Sequence, residues 1–420
     1  MTTAVVSAAQ ALSPLRSALR LSTVDASAGP TAEVVLLGTG TVGTAVLQRL
    51  TQRAAGDASP TLRLRAVCNS RSRYRATGDG WCRQGDADES PLRVQATLAR
   101  LRALPPAVLA AVQTDGRDAA AAADGAGFSL EDWCAPHAGI VRLGDVPRIL
   151  IDATGSDAVA ARHAQWLAQG VHVITACKLG QGASLARWRA IRDAQRIGGT
   201  RYGDAATVGA GLPVIETLRR LRASGERIHA IAGVLSGSLA WLFDAYDGLR
   251  PFSDCVRAAR EAGYTEPDPR EDLSGEDVRR KLLILARAAG AALEPADVVV
   301  ESLVPSALAS LPVPAVGTAL AQLDAPLHAR FTEARRNGAR LRFIARLDLP
   351  VDGPPQARVG LETLPVEHAL AGGAGTDNLV AIHSDRYCAR PLLIQGPGAG
   401  PEVTAAALID DALAVLHRRH

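Results

Sequence analysis

The segment that most restricts the fold of this chain is Glu33-Val-Val-Leu-Leu37 followed by Gly38-Thr-Gly-Thr-Val-Gly43 and Thr44-Ala-Val-Leu-Gln-Arg-Leu50. A β-branched apolar run, a glycine loop and a stretch with helical spacing, in that order, predict strand, tight turn and helix. Gly38 suits the turn, Gly40 lets backbone approach a pyrophosphate, and Gly43 lets helix and strand pack closely, so that phosphates meet a helix N-terminus. The expected fold class is therefore α/β, starting with a Rossmann-type dinucleotide-binding domain. Gly38, Thr39, Gly40, Thr41, Val42 and Gly43 are its first candidate cofactor contacts.

The next strand, Leu62 to Cys68, runs into Asn69-Ser-Arg-Ser-Arg73. A site selective for NAD would place a carboxylate there for the ribose 2′-hydroxyl, whereas arginine suits a 2′-phosphate. Asn69, Arg71 and Arg73 thus favour NADP, with NAD as the alternative. Residues 78–144 are alanine-rich and read as helices and loops decorating this domain. Arg148 to Thr154 is a buried type of strand that delivers Thr154 and Gly155, and Val171 to Thr175 delivers Ala176-Cys177-Lys178. Ligands of open α/β sheets bind outside such strand ends, so Thr154, Gly155 and Lys178 are further cofactor-side candidates.

Lys178 also stands out by rarity, since it and Lys281 are the only lysines among 46 basic residues. Arginine cannot release its proton in a protein, whereas a lysine ammonium can act as acid or base. A chain that otherwise uses arginine keeps lysine where arginine will not serve. Lys281 closes the stretch Tyr264-Thr-Glu-Pro-Asp-Pro-Arg-Glu-Asp-Leu-Ser-Gly-Glu-Asp-Val-Arg-Arg-Lys281, which holds six carboxylates and two prolines. Pro267 and Pro269 predict a constrained loop for Glu266, Asp268 and Asp272. Ser274 is the expected N-cap of a helix, with Asp277 at the capping-box position and Asp277 and Lys281 sharing one face at i, i+4. Like charges gathered on a rigid loop are costly, and a cationic ligand group such as a substrate ammonium would relieve them.

A third glycine segment, Thr207-Val-Gly-Ala-Gly-Leu-Pro213, precedes the helix expected over Val214 to Ala223. Its backbone carbonyls suit an alkali cation, Na or K, and a packed turn is equally consistent. Further strands are expected at Ile228 to Leu235, Arg340 to Asp348, Gln356 to Thr363, Leu379 to His383 and Pro391 to Gln395. A fourth glycine loop, Gly396 to Gly400, leads to a last helix that should return to the nucleotide domain. The resulting division is an extension over 1–30, a nucleotide domain over 31–200 completed by 391–420, and a mixed α+β unit over 201–390.

Composition narrows the partners. A net charge of +3 with 21% charged residues demands neither nucleic acid nor membrane. The six cysteines, Cys68, Cys82, Cys134, Cys177, Cys255 and Cys388, show no CxxC spacing and read as reduced intracellular thiols. The first thirty residues lack a secretory pattern, and a cytoplasmic protein is the simplest expectation.

With these residues in view, the chain resembles homoserine dehydrogenases. The motifs that carry the resemblance are Gly38 to Gly43, Thr207 to Pro213, Leu235-Ser-Gly-Ser-Leu239, Gly263 to Lys281, Glu301-Ser-Leu-Val-Pro305 and Gly398-Ala-Gly-Pro-Glu-Val-Thr-Ala405. The likeness is to the dehydrogenase part of bifunctional aspartokinase-homoserine dehydrogenases, and neither the kinase nor a regulatory domain is expected here. The resemblance implies reversible, NAD(P)-dependent reduction of L-aspartate 4-semialdehyde to L-homoserine in threonine, methionine and isoleucine biosynthesis. It also implies a homodimer built through a mixed-sheet catalytic and dimerisation domain. Carried over, Lys178, Asp277 and Lys281 become catalytic candidates, Gly237, Ser238, Tyr264, Glu266 and Asp272 substrate contacts, and Gly398 a cofactor contact. The carbonyls of Val208, Ala210 and Leu212 would bind the cation. Two positions depart from the family pattern. Cys177 replaces an asparagine, and Ala205 replaces an acidic cation ligand, with Asp204 adjacent but directed differently. Alternative readings are a dehydrogenase of another small amino-aldehyde and a catalytically silent dinucleotide sensor.

Overall fold

A computed structural model describes residues 30–54, 60–77, 80–85, 91–104, 128–135 and 146–417. Two sheets organise the chain. The first has seven strands, in the order β4 (Gly80–Gly85), β3 (Ser72–Thr77), β2 (Thr61–Cys68), β1 (Thr31–Leu37), β5 (Arg148–Asp152), β6 (Val171–Thr175) and β7 (Tyr202–Gly203), and the second has six, in the order β13 (Leu392–Pro397), β12 (Asp377–Ser384), β8 (Ile228–Val234), β10 (Ala339–Asp348), β11 (Gln356–Pro365) and β9 (Val298–Val300).

In the first sheet β1 (Thr31–Leu37), β2 (Thr61–Cys68), β5 (Arg148–Asp152), β6 (Val171–Thr175) and β7 (Tyr202–Gly203) run parallel. Parallel strands are covered on both faces, which accounts for their unbroken apolar runs. Helices Thr41–Ala54 and Pro401–Leu416 cover one face, where Val46, Leu50, Leu408 and Ala412 meet Val34, Leu36, Ile149 and Ile151. Trp166, Leu167, Ile191 and Ala194, from helices His163–Ala168 and Leu185–Gly198, cover Val35, Leu150 and Val173 on the other. Sequence reasoning missed the antiparallel edge formed by β3 (Ser72–Thr77) and β4 (Gly80–Gly85). Its cause is local: Asn69 Oδ1 accepts the amides of Arg71 and Ser72 at 2.8 and 2.6 Å and folds the chain back after β2. Much of the 78–144 expectation, and all of the 1–30 extension but residue 30, lies outside the described residues.

The second sheet is mixed. β8 (Ile228–Val234), β10 (Ala339–Asp348), β11 (Gln356–Pro365), β12 (Asp377–Ser384) and β13 (Leu392–Pro397) pair antiparallel, while the short β9 (Val298–Val300) joins β11 in parallel. Its main core is built on helix Glu276–Ala289, whose residues from Lys281 to Ala289 are all buried. The segment expected to return to the nucleotide domain divides at Pro397: β13 belongs to the second sheet, and only helix Pro401–Leu416 packs on the first. Among the described residues no helix is long and apolar enough to cross a membrane.

Candidate functional site

The glycine loop has the shape its sequence predicts. Gly38 adopts φ +102° and its amide donates to Cys68 O at 2.7 Å, closing β1 against β2. A side chain at Gly43 would overlap the Gly38 carbonyl, whereas nothing lies within 4 Å of a Cβ built at Gly40 or Gly155. The loop is thus closed towards the protein and open outwards, the cradle a pyrophosphate needs. Asn69 Nδ2 donates to Thr39 Oγ1 at 3.2 Å and fixes the end of β2 beside it. Arg71, on the turn between β2 and β3, and Arg73, in β3 opposite Cys68, are both exposed. These residues fit a dinucleotide.

Lys178, 103 positions before Lys281 in the chain, meets it across one carboxylate. Asp277 Oδ1 lies 3.4 Å from Lys178 Nζ, and Oδ2 lies 2.8 Å from Lys281 Nζ. The Lys281 side chain is 9% exposed, and its ammonium also donates to Leu235 O at 2.7 Å. Burial works to raise the Asp277 carboxyl, but the Lys281 and Lys178 ammonium groups outweigh it and hold it well below the usual carboxylate range. Asp277 and Lys281 on one helix flank, with Lys178 from the loop that follows β6, put two cations around one anion and can stabilise an oxyanion and supply a proton.

The acidic stretch packs beside this triad. Asp272 accepts the Ser238 hydroxyl at 2.7 Å and the Glu266 amide at 2.8 Å. Burial pushes its carboxyl up, these two donors pull it back, and the charge of Asp277 raises it further. Glu266 is exposed, and Tyr264, 43% exposed, stacks tilted against Trp241 at 5.2 Å. Gly237 and Ser238 open helix Gly237–Ala245, capped by Ser236. Thr265, which sequence reasoning passed over, has a buried hydroxyl with no partner among the described residues.

Two local expectations change. Asp272 lies not on a loop but in a helical turn, Arg270–Leu273, because Pro269 takes the N-cap, a position that needs no amide. The N-cap of helix Glu276–Ala289 is Gly275 at φ +77°, not Ser274, whose hydroxyl donates to Glu271 O at 2.9 Å and still accepts the Glu276 amide at 3.2 Å. Asp277 and Lys281 keep their expected shared face. Arg270 anchors the turn by pairing with Asp268 at 2.7 Å and donating to the carbonyls of Leu308, Ala309 and Leu311.

Around the third glycine segment, Asp204 is 2% exposed and engaged by Arg219 at 2.7 and 2.6 Å and by Gln181 at 2.5 Å. The Ala205 amide donates to Asp411 at 3.0 Å, and Leu212 O accepts the Val214 amide at 2.7 Å. Ala210 is the one non-glycine residue at positive φ among the described residues. No cluster of three or more side chains suited to a metal ion occurs among them. Gly398 is buried against Asn378, whose carboxamide any side chain there would overlap.

Arg287 was lost among the many arginines of the sequence. Only 2% exposed, it donates from helix Glu276–Ala289 to the carbonyls of Gln181 and Ala183, three and five residues after Lys178, and to Leu293. Burial lowers its guanidinium to about 10, against the opposing charge of Glu294. It clamps the Lys178 loop onto the helix that carries Lys281.

Comparison with known proteins covers most of the chain. The pattern of a family described as homoserine dehydrogenase, NAD binding domain, matches residues 38–203, and that of homoserine dehydrogenase matches residues 213–413. A homoserine dehydrogenase of Emericella nidulans is 39% identical over 281 residues, covering 64% of this chain and 76% of that protein. A chloroplastic bifunctional aspartokinase/homoserine dehydrogenase 2 of Zea mays is 42% identical over 267 residues, covering 63% of this chain. The match spans 29% of that longer relative. Among solved structures, a hyperthermophilic archaeal homoserine dehydrogenase in complex with NADPH shares the fold at TM-score 0.62 and 18% identity, covering 92% of this chain and 98% of that one.

Proposed function

This chain belongs to the homoserine dehydrogenase family, and on that premise we propose that it reduces L-aspartate 4-semialdehyde reversibly to L-homoserine. The observation that carries the reading is the placement of Lys178 and Lys281 on either side of Asp277 at 3.4 and 2.8 Å. A bound nicotinamide supplies the hydride. As charge develops on the aldehyde oxygen, an ammonium of this pair stabilises it and gives the proton, in the direction of reduction. Asp277 holds the two lysines together. Glu266 and Asp272, with the Gly237-Ser238 turn and Tyr264, face the substrate, and their carboxylates hold its ammonium directly or through water.

Arg71 and Arg73, with no carboxylate between Asn69 and Arg73, support NADP over NAD, as does the NADPH complex of the archaeal relative. The working state we propose is a cytoplasmic homodimer serving threonine and methionine biosynthesis. The donor set around Val208, Ala210 and Leu212 fits a cation poorly, because Ala205 offers no carboxylate, Asp204 is committed to Arg219, and Leu212 O is already an acceptor.

The test is the purified chain mixed with homoserine and NAD or NADP at alkaline pH, followed by the absorbance of the reduced nicotinamide. Turnover with NADP supports the proposal. Absence of any change with either dinucleotide would remove it and favour a silent sensor.

A further inference from the structure

Asp152 ends β5 at the carboxyl edge of the parallel sheet, in register with Leu37 of β1 and Thr175 of β6. It is fully buried, and its carboxylate has four donors. Oδ1 accepts the Thr154 amide at 2.9 Å and the Thr154 hydroxyl at 2.6 Å; Oδ2 accepts the Thr175 hydroxyl at 3.1 Å and lies 3.0 Å from His163 Nε2. Each threonine hydroxyl passes the tie onward. Thr154 Oγ1 accepts the Ser156 amide at 3.3 Å, and Thr175 Oγ1 accepts the Cys177 amide at 2.9 Å. One carboxylate therefore sets both loops that flank a nicotinamide site, the one with Thr154 and Gly155 and the one leading to Lys178.

The third arm is longer. His163 Nδ1 lies 3.0 Å from the hydroxyl of Tyr202 on β7, and both side chains are buried. The Asp152 carboxylate can only accept, so a neutral His163 turns its Nε2–H towards it and leaves Nδ1 to accept the Tyr202 hydroxyl. Burial and the charges of Asp204 and Asp152 push that hydroxyl well up, in keeping with a phenol that holds its proton. The Tyr202 hydroxyl also occupies the space where a side chain at position 180 would stand, so Gly180, two residues beyond Lys178, rests on it. Three groups from separate elements converge on the loop that carries a candidate catalytic lysine.

We propose that Tyr202, His163 and Asp152 form a buried, directional hydrogen-bond relay of positioning residues that sets the dinucleotide loop and the Lys178 loop relative to each other. The inference rests on the site assignment made above. None of the three touches a substrate; they act through Thr154, Thr175 and Gly180. A fully satisfied buried network of this kind specifies one arrangement, and misplacing a reacting group by an ångström is costly.

The experiment compares the parent with Tyr202→Phe, which keeps the ring and removes one hydroxyl, and with Ile344→Val, a core change in the second sheet. Three readouts are taken on the full-length chain: the ¹⁵N spectrum of its histidines, NADPH affinity by fluorescence titration, and kcat. The parent should show one histidine, absent from the spectrum of His163→Gln, with a protonated Nε2 and a hydrogen-bonded Nδ1. In Tyr202→Phe that Nδ1 signal should move, NADPH affinity should fall about three-fold, and kcat should fall roughly ten-fold or more. Ile344→Val should leave all three unchanged. An Nδ1-protonated tautomer in the parent, or a Tyr202→Phe enzyme with parental affinity and kcat, overturns the relay. The spectrum and the titration need no turnover, so a chain inert towards homoserine would refute the proposed function alone.

Discussion

Replacing Asp277 by asparagine removes a negative charge that two ammonium groups share at 2.8 and 3.4 Å. With an effective dielectric of ~20, Coulomb's law assigns each contact about 5 kcal/mol. The Asp277 side chain is 42% exposed, and screening by water reduces exposed pairs to ~1 kcal/mol or less. Lys281 is the less screened partner, and a buried ammonium left without its counter-charge costs about 3 kcal/mol or more. The asparagine oxygen still accepts a hydrogen bond and recovers part of this. A net loss of about 2.5 kcal/mol in the transition state corresponds to a roughly 70-fold fall in kcat/KM for semialdehyde reduction. Steady-state kinetics at pH 7.5 measures it. The pH dependence of stability has a defined sign as well. The folded state depresses the Asp277 carboxyl, so its contribution is complete above the ordinary carboxylate range and lost as pH falls through the folded value. Thermal unfolding should show a constant advantage of parent over variant from about pH 9 to 5, narrowing below about pH 4. A variant with kcat/KM within about three-fold of the parent would refute a shared carboxylate at the reaction centre.

Lys281→Arg keeps the charge but removes proton exchange, and we expect turnover to fall ~100-fold or more; parental turnover would leave Lys281 a binding role only. Arg71→Ala should raise KM for NADP and leave KM for NAD unchanged, and an equal effect on both would contradict recognition of a 2′-phosphate. Asp411 offers a test of opposite sign. Burial, and then the charge of Asp204, push its carboxyl from 3.8 to about 6, so ionising it disfavours the folded state, and the stability it contributes below the unfolded value is lost as pH rises through 6. Two pKa units amount to ~3 kcal/mol, and Asp411→Asn should therefore raise the unfolding temperature at pH 8 but not at pH 3.5.

The legible parts of this molecule were those specified locally or by rarity. Gly38 to Gly43 dictates its own turn, so the shape of that loop could be read without knowing what packs on it. Lys178 and Lys281 stood out because lysine is scarce, although nothing in the intervening hundred residues encodes that both reach one carboxylate. Arg287 is as important to that meeting, and its abundance as a residue type hid it. The Ser274 cap was misplaced because a capping pattern cannot tell that Ser274 already closes the preceding helical turn, which leaves Gly275 to make the break at φ +77°. Asp152, His163 and Tyr202 are joined by tertiary packing of three separate elements. Their residue types are ordinary for a core, and the sequence carries no signal for the relay.

The order of assembly follows from one detail of the first sheet. Its strands are complete at Gly203, yet Leu408, Ile409 and Ala412, which seal one of its faces, come from a helix that begins at Pro401. A ribosome adding ~5–20 residues per second needs roughly ten to forty seconds to cross that interval. Throughout it the nascent sheet has only helix Thr41–Ala54 over this face, and Ile149, Ile151 and Ile174 wait for the last helix while the second sheet emerges. Chaperone dependence during synthesis should accordingly track the apolar face awaiting that helix, and a truncated product ending near residue 400 should be cleared by proteases even though its second sheet is whole.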